Sequence, residues 1–291
     1  MKIFSGTGVA LVTPMDGTGK IDWPALKKLV RHTAKVDYLV VMGTTGESAT
    51  LTSEEKLKVL DFVVSNNPSH LPVVLGLGGN NTTEVIQKLD LVKGLPLSAI
   101  MTVSPYYNKP SQEGIYRHFS LIADSSPFPV ILYNVPSRTG SNVTSETTIR
   151  LSSHGNIAAI KEASGNIEQA MRIISETSKN FKVISGEDML TVPMMSIGAS
   201  GVISVLANAF PATFKKMTDA ALNGDFKTAG RLQNSLIKIN PLMYEEGNPG
   251  GIKELLEQMG IIKNYVRLPL VTISNSLRVK ISKALKEIKK G

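Results

Sequence analysis

Lys161 follows directly on the apolar run Ile157-Ala158-Ala159-Ile160. Lysine is rarely buried without a partner, so an amine at the mouth of an apolar strand has two readings. It snorkels to solvent or pairs with Glu162. Alternatively it is a desolvated amine, kept uncharged by burial, that attacks a ketone and forms a Schiff base. Tyr133 ends the preceding apolar run 28 residues earlier, and adjacent strand ends would bring its hydroxyl near Lys161. The alternative is a rim aromatic packed on the next helix. Arg138, five residues beyond Tyr133, is either a surface arginine or a fork of donors for a carboxylate. Gly43-Thr44-Thr45-Gly46-Glu47 combines glycines, hydroxyls and successive N–H groups. That composition suits either a simple turn or a small anion-binding nest.

Other chemistries are absent or weakly signalled. The chain has no cysteine, which excludes thiolate nucleophiles, cysteine-bound zinc, iron–sulfur clusters and disulfides. His32, His70, His118 and His154 stand at least 36 residues apart, so no local metal motif exists. Gly76, Gly78 and Gly79 precede Asn80-Asn81 with no Lys-Ser/Thr after them, and read as a structural turn rather than a phosphate loop. Tyr106-Tyr107 suits packing, an interface or chemistry.

The elements that must position these residues form a regular series. Short strand-like runs occur near 8–14 and from 38, 72, 98, 129, 157, 181 and 201, alternating with amphipathic stretches. Asp22, Thr52, Asn81, Ser111, Asn166 and Asp188 are suited to cap the intervening helices. Eight such units in 291 residues favour a (β/α)8 barrel of the α/β class over an open sheet. In that barrel every polar segment named above lies on the C-terminal rim. After about residue 210 strand signals give way to helical periodicity, broken at Pro241, Gly247 and Pro249–Gly251. We therefore expect a barrel over 1–225 and a helical extension over 226–291 packed on it. A chain with 42% hydrophobic residues and this length can bury roughly three quarters of its unfolded surface without staples.

The formal charge is +8, from 32 Lys and Arg against 24 Asp and Glu. Much of the excess lies in Arg278, Lys280, Lys283, Lys286, Lys289 and Lys290. Val279, Ile281, Ala284, Leu285 and Ile288 recur among them at near-helical spacing, so the lysines are expected to form a solvated helix face. The run lacks interleaved aromatics, and no nucleic-acid partner is expected. No long apolar stretch or leader pattern occurs, so we expect no membrane association and a cytoplasmic location.

GTTGES at 43–48, SPYYNKP at 104–110, YNVPSRTG at 133–140 and AIKEASG at 159–165 occur in this order on the second, fourth, fifth and sixth strand units. Together they resemble the dihydrodipicolinate synthase branch of the class I pyruvate-dependent aldolase and lyase superfamily, which also contains N-acetylneuraminate lyase. The resemblance covers nearly the whole chain. It implies condensation of pyruvate with L-aspartate 4-semialdehyde to 4-hydroxy-tetrahydrodipicolinate, in lysine and diaminopimelate biosynthesis. It further implies Lys161 as the Schiff-base amine, with neither pyridoxal phosphate nor metal. Tyr133, Thr44 and Tyr107 would form a proton relay, Tyr107 coming from a neighbouring subunit of a homotetramer built from two dimers. Thr45 would hold the pyruvate carboxylate, Arg138 the semialdehyde carboxylate, the Ile203 carbonyl would orient Lys161, and Gly186 would lie near the substrate. A lysine-binding regulatory pocket would correspond to Ser48, Ala49, Ser53, Lys56, Asn80, Glu84 and Tyr106. Lys56 departs from the histidine frequent in lysine-inhibited relatives, so inhibition is expected to be weak or absent. The competing readings are a sialic acid or sugar-acid lyase, and a non-catalytic basic barrel that binds polyanions.

Overall fold

The eight apolar runs lie side by side in chain order, each parallel to its neighbour, and the eighth pairs with the first. The computed structural model describes residues 4–288. The strands are β1 Gly6–Ala10, β2 Tyr38–Val41, β3 Val73–Gly76, β4 Ala99–Val103, β5 Val130–Asn134, β6 Ile157–Glu162, β7 Lys182–Ser185 and β8 Gly201–Ser204. Helices α1 (Trp23–Thr33), α2 (Ser53–Ser65), α3 (Thr82–Asp90), α4 (Gln112–Ser125), α5 (Pro136–Thr139), α6 (Ser145–Ser152), α7 (Ile167–Glu176) and α8 (Thr191–Ser196) connect them. The tail adds α9 (Pro211–Leu222), α10 (Phe226–Asn234), α11 (Gly250–Gln258) and α12 (Asn275–Ile288). This is the closed (β/α)8 barrel with further C-terminal helices. Its closure depends on a glycine, since a Cβ on Gly201 would lie 1.9 Å from the Gly6 carbonyl oxygen.

Strand alternation separates two cores. Leu39, Val41, Leu75, Ile100, Leu132, Ile160 and Val183 point outward to the helices. Val40, Val74, Met101, Ile131, Tyr133, Ile184 and Ile203 fill the barrel interior. Residues two apart share a face, so Lys161, between the inward Ala159 and Ala163, points inward. The two alanines leave it room.

Five of the six expected caps hold their helices. Asp22 accepts from the Ala25 N–H, Ser111 from Gly114, Asn166 from Gln169, and Asn81 from Thr83 and Glu84. Thr52 and Glu55 form a reciprocal capping box. Such caps contribute about 1 kcal/mol each. Asp188 is different: it is buried inside a turn at Asp188–Leu190, and its Oδ2 accepts the Val205 and Leu206 N–H groups at 3.2 and 2.8 Å. Its carboxylate ties the chain after β7 to the chain after β8 instead of capping a helix.

β1 also starts and ends earlier than expected. Beyond Ala10, where Leu11 still donates to the Val40 carbonyl of β2, the Asn208 side chain stands in for β8, accepting from the Val12 N–H and donating to the Ala10 carbonyl at 3.2 and 2.7 Å. In α12, Leu277, Ile281, Ala284 and Leu285 are buried, but Val279 is exposed. It stands two residues from Leu277, about 200° round the helix, and so faces solvent. Arg278 pairs with Glu254 and Glu257, and Lys280 pairs with Glu245. Part of the basic face is thereby neutralised within the molecule. Lys289 and Lys290 lie outside the described residues. No helix among the described residues is long and apolar enough to cross a membrane.

Candidate active site

Lys161 is 5% exposed at the C-terminal end of β6. Its Cα is in register with Tyr133 on β5 and Ile184 on β7. The Nζ sits 4.3 Å from the centre of the Tyr133 ring, and the amine makes no salt bridge among the described residues. The amine therefore lies against the electron-rich face of the Tyr133 ring. It neither snorkels nor pairs with Glu162. Glu162, one residue on, faces the opposite side of the sheet, where it accepts from Asn134 Nδ2 at 3.0 Å, Gln169 Nε2 at 2.9 Å and the Ser164 N–H at 2.7 Å.

Gly186, in the loop after β7, borders the amine directly. A Cβ there would fall 2.5 Å from the Ala163 Cβ and 3.1 Å from the Lys161 Cε, so only glycine keeps the space beside the lysine open. Glu187 and Asp188 follow. The Glu187 carboxyl is held above its ordinary range by burial and then by the Asp188 charge, against the opposing charges of Lys161 and Arg138. Burial also raises Asp188, against the hydrogen bonds it accepts. Arg138 is exposed on α5, which Gly140 closes at φ 72°.

Thr44 and Thr45 lie in a tight turn over Thr44–Gly46 that begins three residues after β2. The Gly46 and Glu47 N–H groups close the turn on the Gly43 and Thr44 carbonyls. At the start of such a turn the first N–H groups have no acceptor within it, so those of Thr44 and Thr45 take no part in closing it. Thr45 is buried and Thr44 half-buried. Ile203 lies in the interior cluster on β8.

Two residues of the tail enter this site, and nothing in the sequence marked them. Asn248 is buried and its Nδ2 donates to the Thr45 Oγ1 at 3.0 Å. Tyr244 lies close enough to Asp188, Glu187 and Tyr133 for their charges to act on it, and its phenol is held well above the usual range, chiefly by burial. The sequence shows only chain breaks at Gly247 and Pro249 here. Tyr107, expected in the same relay, makes no side-chain contact with Tyr133 or Lys161 among the described residues. Its backbone is left-handed at φ 73° and the residue is 89% exposed.

The residues matching a regulatory pocket lie around α2 and α3. Ser48 and Ala49 form a turn over Ser48–Thr50, and Ser53 starts α2. Asn80 Nδ2 donates to the Tyr106 carbonyl at 3.2 Å. Glu84 accepts from Asn81 and lies 3.9 Å from the Lys88 Nζ. Lys56 is half-buried, and burial followed by the Lys88 charge lowers its pKa.

The sequence matches the dihydrodipicolinate synthetase family over residues 3–288. The 4-hydroxy-tetrahydrodipicolinate synthase of Cytophaga hutchinsonii is 49% identical over 286 residues, 98% of this chain and 96% of the relative. Among solved structures, the chloride-inhibited dihydrodipicolinate synthase from Acinetobacter baumannii complexed with pyruvate superposes with a TM-score of 0.96 at 36% identity, covering 98% of this chain and 99% of that one. The enzyme from Cyanidioschyzon merolae with lysine bound gives 0.94 at 37% identity and 99% of each chain.

Proposed function

The chain belongs to the dihydrodipicolinate synthetase family, and we propose that it works through an imine on Lys161, the buried amine set against the Tyr133 ring. It condenses pyruvate with L-aspartate 4-semialdehyde to 4-hydroxy-tetrahydrodipicolinate, in lysine biosynthesis. Lys161 Nζ adds to the pyruvate ketone and water leaves. The protonated imine draws electrons from the methyl group, which loses a proton to give an enamine. The enamine carbon then attacks the aldehyde. The semialdehyde's own amine adds at the imine carbon, closes the ring and releases Lys161. Tyr133, Thr44 and a partner's Tyr107 carry the protons. Thr45 and the N–H groups of its turn hold the pyruvate carboxylate, and the Ile203 carbonyl orients the lysine. Gly186 leaves room for the substrate beside it. The inward alternation of β6, which puts Lys161 and not Glu162 in the barrel, supports this reading most directly. A coupled assay with both substrates, run beside N-acetylneuraminate cleavage, tests it: turnover belongs to the first reaction, and cleavage alone would refute the reading. We place the enzyme in the cytoplasm, and we divide it at residue 225, between α9 and α10, because no strand follows among the described residues.

Arg138 is proposed to bind the semialdehyde carboxylate. Arg138→Ala is expected to raise the semialdehyde KM by roughly tenfold or more, since a charged hydrogen bond contributes about 1.5–3 kcal/mol. The pyruvate KM should change little, and equal damage to both would remove Arg138 from this role.

We propose a homotetramer of two dimers in which each site borrows Tyr107, whose exposure within its own chain fits a contact with a partner. Mixing Lys161→Ala with Tyr107→Phe subunits is then expected to restore activity, because each hybrid dimer has one site with a native lysine and a borrowed native tyrosine. Subunit exchange is verified with mass-tagged chains. Verified hybrids without recovery would show that Tyr107 does not act across an interface.

Inhibition by lysine is expected to be weak or absent. The ligand's side-chain ammonium would meet Lys56 and the neighbouring Lys88, and its α-amino group would compete with Lys88 for Glu84. Two ammonium groups at about 4 Å repel by about 4 kcal/mol at an effective dielectric of 20, and half of that is more than a tenfold loss of affinity. L-lysine titrated against initial rate at subsaturating pyruvate checks this, and strong submillimolar inhibition would contradict it.

A further inference from the structure

Beneath the Thr44–Gly46 turn lies a charge pair that no step above uses. The Glu47 carboxylate is paired with the Lys253 ammonium of α11, and both side chains are 0% exposed. Both Glu47 oxygens and two of the three Lys253 ammonium donors have partners. Lys253 Nζ also donates to the Tyr265 carbonyl at 2.8 Å, and the second Glu47 oxygen accepts the Arg267 N–H at 3.0 Å. The Arg267 side chain extends the contact, making two 2.8 Å bonds to Glu55 and donating to the Thr50 carbonyl at 2.9 Å. Glu47 itself sits in the left-handed region at φ 55°, where a non-glycine residue stays only when its surroundings hold it.

A buried ion pair contributes little stability beyond what an apolar pair of the same size would contribute, but it fixes direction and register. Here the thing fixed is the turn that carries Thr44 and Thr45. Five residues before Lys253, Asn248 donates to the Thr45 hydroxyl oxygen. That bond occupies a lone pair of Thr45 and leaves the hydroxyl proton free to be donated into the site. Asn248 can do this only if its segment stands at the right height against the turn, and the Glu47–Lys253 pair sets that height.

We propose that Lys253 is a positioning residue: paired with Glu47, it latches the C-terminal segment to the turn and so sets the geometry in which Thr45 receives the pyruvate carboxylate. Lys253 touches no substrate. The inference rests on the reading of Thr45 as the carboxylate holder. It distinguishes a latch from packing, because packing would stabilise the fold without favouring one substrate over the other.

The test compares wild type with Lys253→Met and with the double variant Glu47→Gln/Lys253→Met. Lys253→Met leaves a buried carboxylate unpaired and is expected to lower the melting temperature. The double variant removes both charges and recovers most of it. In both, the pyruvate KM should rise at least tenfold, as should the pyruvate concentration for half-maximal borohydride trapping, while the semialdehyde KM stays within threefold. A double variant that is folded and has the wild-type pyruvate KM overturns the proposal. Hydrogen exchange on the wild-type protein decides the matter if neither variant folds. Trapped pyruvate should slow exchange in peptides covering both 43–50 and 248–267, and protection confined to 43–50 would overturn the latch. Failure of wild type to trap pyruvate at all would instead count against the imine reading.

Discussion

Lys161→Ala is expected to lower turnover by about 10⁴-fold or more, the scale of loss when an enzyme is deprived of its covalent nucleophile. The fold should survive. The side chain makes no salt bridge among the described residues, and its flanking neighbours in the barrel are alanines, so truncation breaks no ion pair, although the buried Glu187 and Asp188 lose an opposing charge. Steady-state kinetics with both substrates, with circular dichroism to confirm folding, measure the effect. A folded variant retaining a tenth of wild-type turnover would remove Lys161 from the reaction.

Tyr133→Phe is expected to lower kcat by about 10²- to 10³-fold, within the range for losing one group that transfers protons in the transition state. The variant keeps the ring over which the Lys161 amine sits and deletes only the hydroxyl. Pyruvate should therefore still reach the lysine, and the loss should fall on kcat far more than on the pyruvate KM. A variant within threefold of wild type in kcat would show that the hydroxyl carries no essential proton.

The two substitutions act on the part of the site that was most legible from sequence. Strand periodicity is local: once β6 is recognised, counting by twos from Ala159 puts Lys161 in the barrel and sends Glu162 to the helices. The same count excludes the Lys161–Glu162 pairing, because adjacent strand residues occupy opposite faces. Helix caps are equally local, which is why Asp22, Thr52, Asn81, Ser111 and Asn166 were readable. Asp188 looked like one more cap, yet its carboxylate binds N–H groups 17 and 18 residues further along. Gly186 became intelligible only once the Ala163 and Lys161 side chains were seen around it.

The tail was the least legible part. Asn248 and Lys253 reach residues about 200 positions earlier, and their own neighbourhood, with Gly247, Pro249 and two further glycines, shows only where a helix cannot run. No periodicity announces a contact made through the third dimension. Tyr107 illustrates the complementary limit: its residue type suggested packing, an interface or chemistry, and within one chain its ring remains in solvent.

The most direct test of the imine on Lys161 is chemical trapping. The protein is incubated with pyruvate and sodium borohydride, its intact mass is measured, and the modified peptide is sequenced. Imine formation expels water and reduction adds two hydrogens, so each chain should gain the mass of pyruvic acid less one oxygen, located at Lys161, and Lys161→Ala should gain none. A chain that gains no mass under these conditions, or gains it on another lysine, would contradict the mechanism.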